Sequence, residues 1–295
     1  MGEAAALIAA FTWSATSVAM ASLSVRVTPA AMSALRLTVA AIVLPLVLLL
    51  SGEGGEVLGA DRVQVAALVG GGILAYALGD TLYIACLGRL GVQRAFTITM
   101  TLFITLTVAG GVVLLDEELH ALQVVGAVLV GVGIVVLTRS RRTAASTAPA
   151  ASNAGLLSVA LVVAVAIFWA AATLWLAGGR GDLGSIAASS IRTPAGAVGM
   201  LAFTLVAARS DLAAPLRDRK QMAAIAAIGL VSTLFGSLLY VYAIGEAGAS
   251  RTTILSATSP LLALPLSVFF LKEPFTRVAA AGTVASVAGI ILVVA

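Results

Sequence analysis

The chain is dominated by long segments that carry no formal charge, and these segments limit what it can fold into. They span residues 4–25, 37–52, 95–115, 155–179, 221–245 and 252–271. Several reach the roughly 20 residues that cross about 30 Å of hydrocarbon as an α-helix. The sequence therefore predicts an all-α polytopic membrane protein.

Composition and the amino terminus agree with this prediction. Hydrophobic residues make up 61% of the chain and charged residues 10%, whereas a soluble domain carries roughly 25% charged residues. The amino terminus, Met1-Gly2-Glu3, lacks the basic region of a cleavable signal peptide. We therefore interpret the apolar run that follows it as the first membrane helix.

Reactive and charged residues exclude several function classes. The chain has one cysteine, Cys86, and one histidine, His120. These numbers rule out a disulfide framework and argue against Cys or His metal sites, so neither a metal nor a cofactor is expected. The net charge of +4 comes mainly from arginine at segment ends, which indicates membrane topology and no binding to nucleic acid.

Hydropathy, charge and the positions of Gly and Pro predict ten transmembrane helices. They lie at roughly residues 4–25, 30–51, 63–87, 94–115, 119–138, 155–177, 184–208, 221–243, 252–271 and 277–295. A linker of small and polar residues, 139–154, divides them five against five. Residues 1–138 form the first five-helix unit and residues 155–295 the second.

The two units are related by an internal repeat. The recurring pairs, separated by 156 or 157 residues, are Trp13 and Trp169, Arg36 and Arg192, Tyr83 and Tyr240, and Glu117 and Glu273. Units with an odd number of helices enter the membrane from opposite sides, so the sequence predicts two inverted five-helix repeats. Inverted repeats are typical of transporters, whose substrate site lies between the repeats near the midplane.

In these residues the chain resembles the drug/metabolite transporter superfamily, in particular its EamA-like ten-helix members. The matching features are a Trp in the first helix of each half, an Arg early in the second, the stretches around Tyr83 and Tyr240, and a Leu-x-Glu before the fifth helix. The fourth helix departs from the pattern, because the second half has Ser259-Pro260 where the first has Leu102-Phe103. The resemblance covers nearly the whole chain and implies export or exchange of amino acids, related metabolites or drugs.

Asp80 is the most informative charge inside a predicted helix. Tyr76, Asp80 and Tyr83 lie at i, i+4 and i+7 and so share one face of the third helix. Because an acid in lipid is costly, this face is expected to meet a cavity or a protein partner. Asp80 is a site for a substrate amine or a proton, or one half of a structural ion pair with Arg36, Arg192 or Arg89, or it lies near the membrane interface.

The arginines and tryptophans of the repeat each have two interpretations. Arg36 and Arg192 either anchor and join helices or hold a substrate carboxylate through bidentate hydrogen bonds. Trp13 and Trp169 fit the interfacial belt that Trp usually occupies. The resemblance instead implies a gate or a stacking surface for the substrate.

Hydroxyl side chains cluster in the fourth helix of each half. Thr97, Thr101 and Thr105 form a stripe with four-residue spacing, and Thr252, Ser256, Ser259 and Ser267 form its counterpart. They either line a pore or bond to the preceding turn. Pro260 and Pro265 are candidate hinges of a gate, and Glu117 and Glu273 are interpreted as helix caps.

The sequence thus favours a secondary transporter and exporter of small metabolites, most plausibly amino acids, working by alternating access through a cavity between the repeats. The alternatives are a multidrug or cation carrier, a nucleotide or sugar carrier of the same fold, and a channel or structural membrane protein. No enzyme motif is present, since Asp80 has no second acid inside a helix to form a catalytic pair. Protons are the candidate coupling ion, and a monomer is plausible.

Membrane orientation follows from the basic loops. Arg141, Arg142 and the run from Arg217 to Lys220 lie on one side, opposite Arg62 and Arg180. The positive-inside rule makes the linker side cytoplasmic and places both termini on the external side of the membrane. The expected location of the protein is the cell (inner) membrane. Relatives in the resembling family are expected to have both termini inside.

Overall fold

The computed structural model describes residues 1–24, 26–144, 156–259, 261–262 and 277–294. The first half comprises α1 (Gly2–Leu23), α2 (Pro29–Ser51), α3 (Gly54–Gly59), α4 (Arg62–Gly72), a first π segment (Ile73–Asp80), α5 (Thr81–Leu114) and α6 (Ala121–Ala144). The second half comprises α7 (Leu156–Gly179), α8 (Ser185–Ala207), α9 (Arg209–Arg217), α10 (Arg219–Ile228), a second π segment (Gly229–Gly236), α11 (Ser237–Ala247), α12 (Ala249–Ser256) and α13 (Arg277–Val294).

The protein is an all-α polytopic membrane protein, as predicted. In the described ranges there is no strand, and five helical spans are long and apolar enough to cross a membrane: Pro29–Ser51, Arg62–Cys86, Leu157–Gly179, Ser185–Ala207 and Arg219–Ala247. Shorter apolar helices cover Ile98–Leu114, Ala121–Gly133 and Ala280–Val294. Large apolar side chains of the long spans, such as Leu49 in Pro29–Ser51 and Val206 in Ser185–Ala207, are exposed and so suit contact with lipid.

The halves pack against each other as symmetric partners. Helix α2 packs on α8 and α6 on α13, and each of these pairs joins equivalent helices of the two halves. Helix α1 packs on the second π segment and α11, while its equivalent α7 packs on α4 and the first π segment. The core therefore lies between the repeats and is built equally from both.

A π-helical segment interrupts the third helix of each half at the same place. The two segments, Ile73–Asp80 and Gly229–Gly236, begin 156 residues apart, and a glycine lies at or just before the start of each. A Cβ atom on Gly72 would meet the carbonyl oxygen of Arg192, and one on Gly229 would lie 2.6 Å from that of Arg36. Glycine at these positions lets each π segment approach the arginine-bearing helix of the other repeat.

Two boundaries differ from the sequence prediction. A break was expected between residues 87 and 94, but the backbone is helical throughout α5. In the second half Gly248 adopts a φ of 79° and ends α11, whereas its equivalent Gly91 remains helical. Helix α6 also continues to Ala144, six residues beyond its predicted end at residue 138. Most of the predicted linker, 139–154, lies outside the described residues.

Candidate functional site

A cavity of about 880 Å³, a volume that includes space open to the outside, lies between the repeats. Ten of the predicted site residues line it: Trp13, Arg36, Tyr76, Asp80, Tyr83, Trp169, Arg192, Tyr240, Ser256 and Ser259. They come from α1, α2, α5, α7, α8, α11 and α12, the first π segment, and the stretch after α12.

Asp80 lies at the end of the first π segment and is paired within the protein. Its Oδ2 accepts a hydrogen bond from Arg36 Nη2 at 2.5 Å, and its Oδ1 accepts one from Trp169 Nε1 at 2.9 Å. Arg36 Nη1 also donates to Thr233 Oγ1 of the opposite repeat at 2.7 Å. Arg36 is only 3% exposed, so its side chain does not reach the lipid headgroups. Its positive charge is neutralised by the carboxylate of Asp80.

Arg192 occupies the equivalent position in the second half and is equally buried, at 3% exposure. Its Nη1 donates to Tyr76 Oη at 3.1 Å, and its guanidinium lies 4.7 Å from the centre of the Tyr76 ring. Among the described residues no carboxylate pairs with it. The described charges of the cavity, Arg36, Asp80 and Arg192, thus sum to one positive charge.

The tryptophans form two equivalent aromatic pairs across the repeat boundary. Trp13 and Tyr240 have ring centroids 5.1 Å apart, and Trp169 and Tyr83 have centroids 5.0 Å apart, with similar tilts. Phe103 adds an edge contact to Trp169. Trp13 and Trp169 therefore line the cavity, whereas Trp175 is 49% exposed and fits the interfacial position.

The hydroxyl stripes divide between the cavity and their own helices. Ser256 and Ser259 line the cavity while each donates to a carbonyl of the preceding turn, at 2.7 and 2.8 Å. Thr101 is not among the lining residues, and Thr105 donates to its carbonyl oxygen at 2.9 Å. The Thr97 side chain, Pro260, Pro265, Ser267 and Glu273 lie outside the described residues.

Glu117 caps a helix of the opposite repeat. Its carboxylate accepts backbone N–H groups of Ala249 at 2.6 Å and Ser250 at 3.0 Å, at the start of α12, and also accepts the Ser250 hydroxyl. From its position just before the fifth helix, Glu117 is expected to cap that helix, but the helix that it caps is α12. A carboxylate at a helix N-terminus satisfies free N–H groups and faces the positive end of the dipole.

Two further carboxylates make the same kind of contact. Glu56 accepts the backbone N–H of Gly184 at 2.6 Å, and Glu53 accepts that of Ala187 at 2.9 Å. Glu53 immediately precedes α3 and Glu56 lies within it, and both donor N–H groups lie at the start of α8. The start of a second-repeat helix is again held by acids of the first repeat.

Arginine contacts complete this end of the bundle, which we call the termini end and define by Glu3, Glu53, Glu56, Glu117, Arg180 and Arg251. Arg251 pairs with Glu3 at 3.0 Å, and Arg180 donates to the Val241 carbonyl at 3.1 Å. Burial lowers the pKa of the Arg180 guanidinium from its ordinary value, and the nearby carboxylates, Glu246 first among them, oppose this shift. The two repeats are therefore joined across the termini end.

Sequence analysis missed several lining residues, including Ser232, Thr233 and Ser237. The repeat contains the signal that would have found two of them. At the offset of 157 that relates Tyr83 to Tyr240, Tyr76 corresponds to Thr233 and Asp80 to Ser237. Tyr76 and Thr233 then accept equivalent hydrogen bonds, each from the arginine of the other repeat.

Comparison with known proteins identifies the family. No curated protein matches the sequence, whereas 28 chains of solved structures match. One crystal structure is similar over 99% of this chain and 96% of its own, with a TM-score of 0.74 and 21% identity, which shows a shared fold. A model described as the EamA-like transporter family matches residues 1–139 and again 156–295. The chain, with two such repeats around one central cavity, therefore belongs to the EamA-like transporter family of the drug/metabolite transporter superfamily.

Proposed function

We propose that this membrane transporter is a secondary exporter of amino acids or closely related small metabolites in the inner membrane. In this proposal substrate passes by alternating access through the cavity between the repeats, and no chemical change occurs. The single observation that carries the proposal is the cavity itself. It is bounded by equivalent aromatic and arginine side chains from both halves, as expected for a site between inverted repeats.

Alternating access is supported by the contacts at the termini end. Glu117 joins the first repeat to the start of α12, and Glu53 and Glu56 join it to the start of α8. These are polar contacts between rigid helices, so a small relative movement of the repeats would break them together. Their breakage would open the cavity at this end.

A reversible cross-link tests this gate. The Glu117 carboxylate and the Ser250 hydroxyl are in direct contact, so Glu117→Cys with Ser250→Cys places two thiols side by side. Oxidation is expected to block transport and reduction to restore it, while either single variant is insensitive to oxidant. Full transport by the oxidised double variant would contradict alternating access through this end.

Amino acids are the preferred class because the cavity combines fixed charges with an apolar wall. Arg192 offers a cation for a carboxylate, and Met100 and Phe103 offer contacts for an apolar side chain. A multidrug or cation carrier would need Asp80 and the aromatic residues but not the arginines. Arg192→Ala is expected to abolish amino acid uptake. If Arg192→Ala instead retains uptake and Asp80→Asn loses it, the result would favour the cation carrier.

Proton coupling is proposed to act through Asp80. Protonation would remove the ion pair with Arg36, so proton binding and movement of α2 would be coupled. The Asp80→Asn variant is expected to equilibrate substrate without accumulating it, whatever the pH gradient. Accumulation against the gradient with unchanged pH dependence would show that another group carries the proton.

A further inference from the structure

The two arginines of the cavity occupy equivalent positions but have different partners. Arg36 forms an ion pair with Asp80, and this carboxylate also accepts the Trp169 N–H. Arg192 bonds to the neutral Tyr76 hydroxyl and pairs with no carboxylate of the described chain. The Nε atoms of both arginines are buried without a hydrogen-bond partner, so the difference between them lies in the counter-ion alone.

The difference follows from one position of the repeat. Gly79 and Gly236, like Tyr83 and Tyr240, are equivalent at an offset of 157, and this register aligns Asp80 with Ser237. Asp80 and Ser237 both line the cavity. The first repeat therefore carries the counter-ion of its arginine, whereas the second has a neutral hydroxyl in that place.

A buried guanidinium without a counter-ion is costly in a membrane, and such residues usually mark substrate sites. We propose that Arg192 binds the carboxylate of the transported substrate, which takes the place in the second repeat that the Asp80 carboxylate holds in the first. By the relation of the repeats, this place is expected beside Ser237 and the Trp13 indole N–H, the equivalents of Asp80 and the Trp169 indole N–H, and these residues line the same cavity. The Trp13 N–H now bonds to the Ser232 carbonyl at 3.3 Å, a long contact that a carboxylate can replace.

The same contacts define what the substrate does not need. Asp80 already accepts hydrogen bonds from Arg36 and Trp169, so a substrate amine gains no unpaired acid there. Met20, Ile84, Met100 and Phe103 provide an apolar wall. The inferred ligand class is a small organic carboxylate with an apolar body, in which an amino group is tolerated but not required.

This inference rests on the proposed function, and a binding experiment separates the two. L-leucine and three analogues are titrated into detergent-solubilised protein, and binding is followed by the change in intrinsic fluorescence of the three tryptophans, of which Trp13 and Trp169 line the cavity. The analogues are 4-methylpentanoate, which lacks the amine, leucinamide, which lacks the carboxylate charge, and 3-methylbutylamine, which lacks the carboxylate. We expect 4-methylpentanoate to bind as L-leucine does, and the two cations to bind about tenfold or more weakly, since charge-assisted hydrogen bonds are lost.

Ser237→Asp tests the location of the site, because it supplies the counter-ion that the second repeat lacks. It is expected to weaken 4-methylpentanoate binding about tenfold more than Ser237→Asn, which adds the same atoms without charge. Its melting temperature is also expected to exceed that of Ser237→Asn. Arg209→Gln removes an exposed arginine and is the matched control for a change in net charge.

Two results would overturn the inference. One is tighter binding of leucinamide or 3-methylbutylamine than of 4-methylpentanoate, and the other is equal carboxylate binding by Ser237→Asp and Ser237→Asn. Either result in a protein that still performs substrate counterflow would leave the proposed transport intact. Absence of counterflow with every substrate class would instead refute the proposed function.

Discussion

At the scale of single residues, the cavity is organised by one buried ion pair. The Arg36 side chain is 4% exposed and that of Asp80 20%, and they meet at 2.5 Å. Removing one partner of a buried pair strands the other charge, whereas removing both leaves neutral groups. The pair is therefore expected to behave as a unit in both stability and transport.

A double-mutant cycle tests this coupling. Arg36→Gln is expected to destabilise the protein more than the double variant Arg36→Gln with Asp80→Asn, because Asp80 keeps only the Trp169 N–H in the single variant. We expect a coupling energy of about 1 to 3 kcal/mol by equilibrium unfolding in mixed detergent micelles. Strictly additive effects would show that the pair contributes nothing beyond its separate residues.

Residue types predicted much of the site, because polar groups inside lipid-length helices must face a protein interior. On that ground Asp80 is expected to face a cavity or a protein partner, and it lines the cavity together with Arg36 and Arg192. The cavity role of Trp13 and Trp169 rests instead on the resemblance to the transporter family. Hydroxyls gave a weaker signal, since Thr105 bonds to its own helix and needs no cavity. The sequence did not identify the arginine that forms the ion pair with Asp80, because that choice depends on how the helices pack and helical periodicity carries no information on packing.

At the scale of elements, the two π segments set how closely the repeats approach. Each is preceded or begun by a glycine whose hydrogen faces the main chain of an arginine in the other repeat. Gly72 and Gly229 are separated by the same 157 residues as Tyr83 and Tyr240, but the sequence does not show that either lies close to another helix. The change from α- to π-helical hydrogen bonding has no separate signature in apolar sequence, so neither segment was predicted.

Alanine substitution tests these close approaches. Gly72→Ala and Gly229→Ala are each expected to destabilise the protein by about 1 to 3 kcal/mol, since the new methyl group meets main-chain atoms. Gly131→Ala is the matched control, because a Cβ there meets nothing within 4 Å. That variant is expected to be neutral or more stable by up to about 1 kcal/mol. Equal effects at all three sites would mean that the π segments tolerate separation.

The cap that Glu117 provides is a second property of an element. Glu117→Gln is expected to weaken the bonds to the start of α12, and the loss of a cap costs about 1 kcal/mol. Amide hydrogen exchange in the segment 247–252 should then become about fivefold faster. Glu118→Gln changes the exposed neighbouring acid and should leave that exchange unaltered; equal protection in both variants would contradict the cap.

At the scale of the whole molecule, the fold was predictable because two constraints coincide. Apolar segments of membrane-spanning length required helices, and the repeat of rare residues required two equivalent halves around a common interface. The asymmetry between the halves is the part with functional content. Within the cavity it includes Asp80 in one half where the other has Ser237, and Tyr76 where the other has Thr233.

The central claim, that a small metabolite crosses through this cavity, is tested most directly by counterflow. Radiolabelled amino acids, followed by drugs, sugars and nucleotides, are offered to liposomes that contain purified protein and to empty liposomes. Uptake of one or a few amino acids is predicted, with loss of that uptake when the Glu117→Cys, Ser250→Cys pair is oxidised. Uptake at the level of empty liposomes for every compound would contradict a carrier and favour a channel or a structural role.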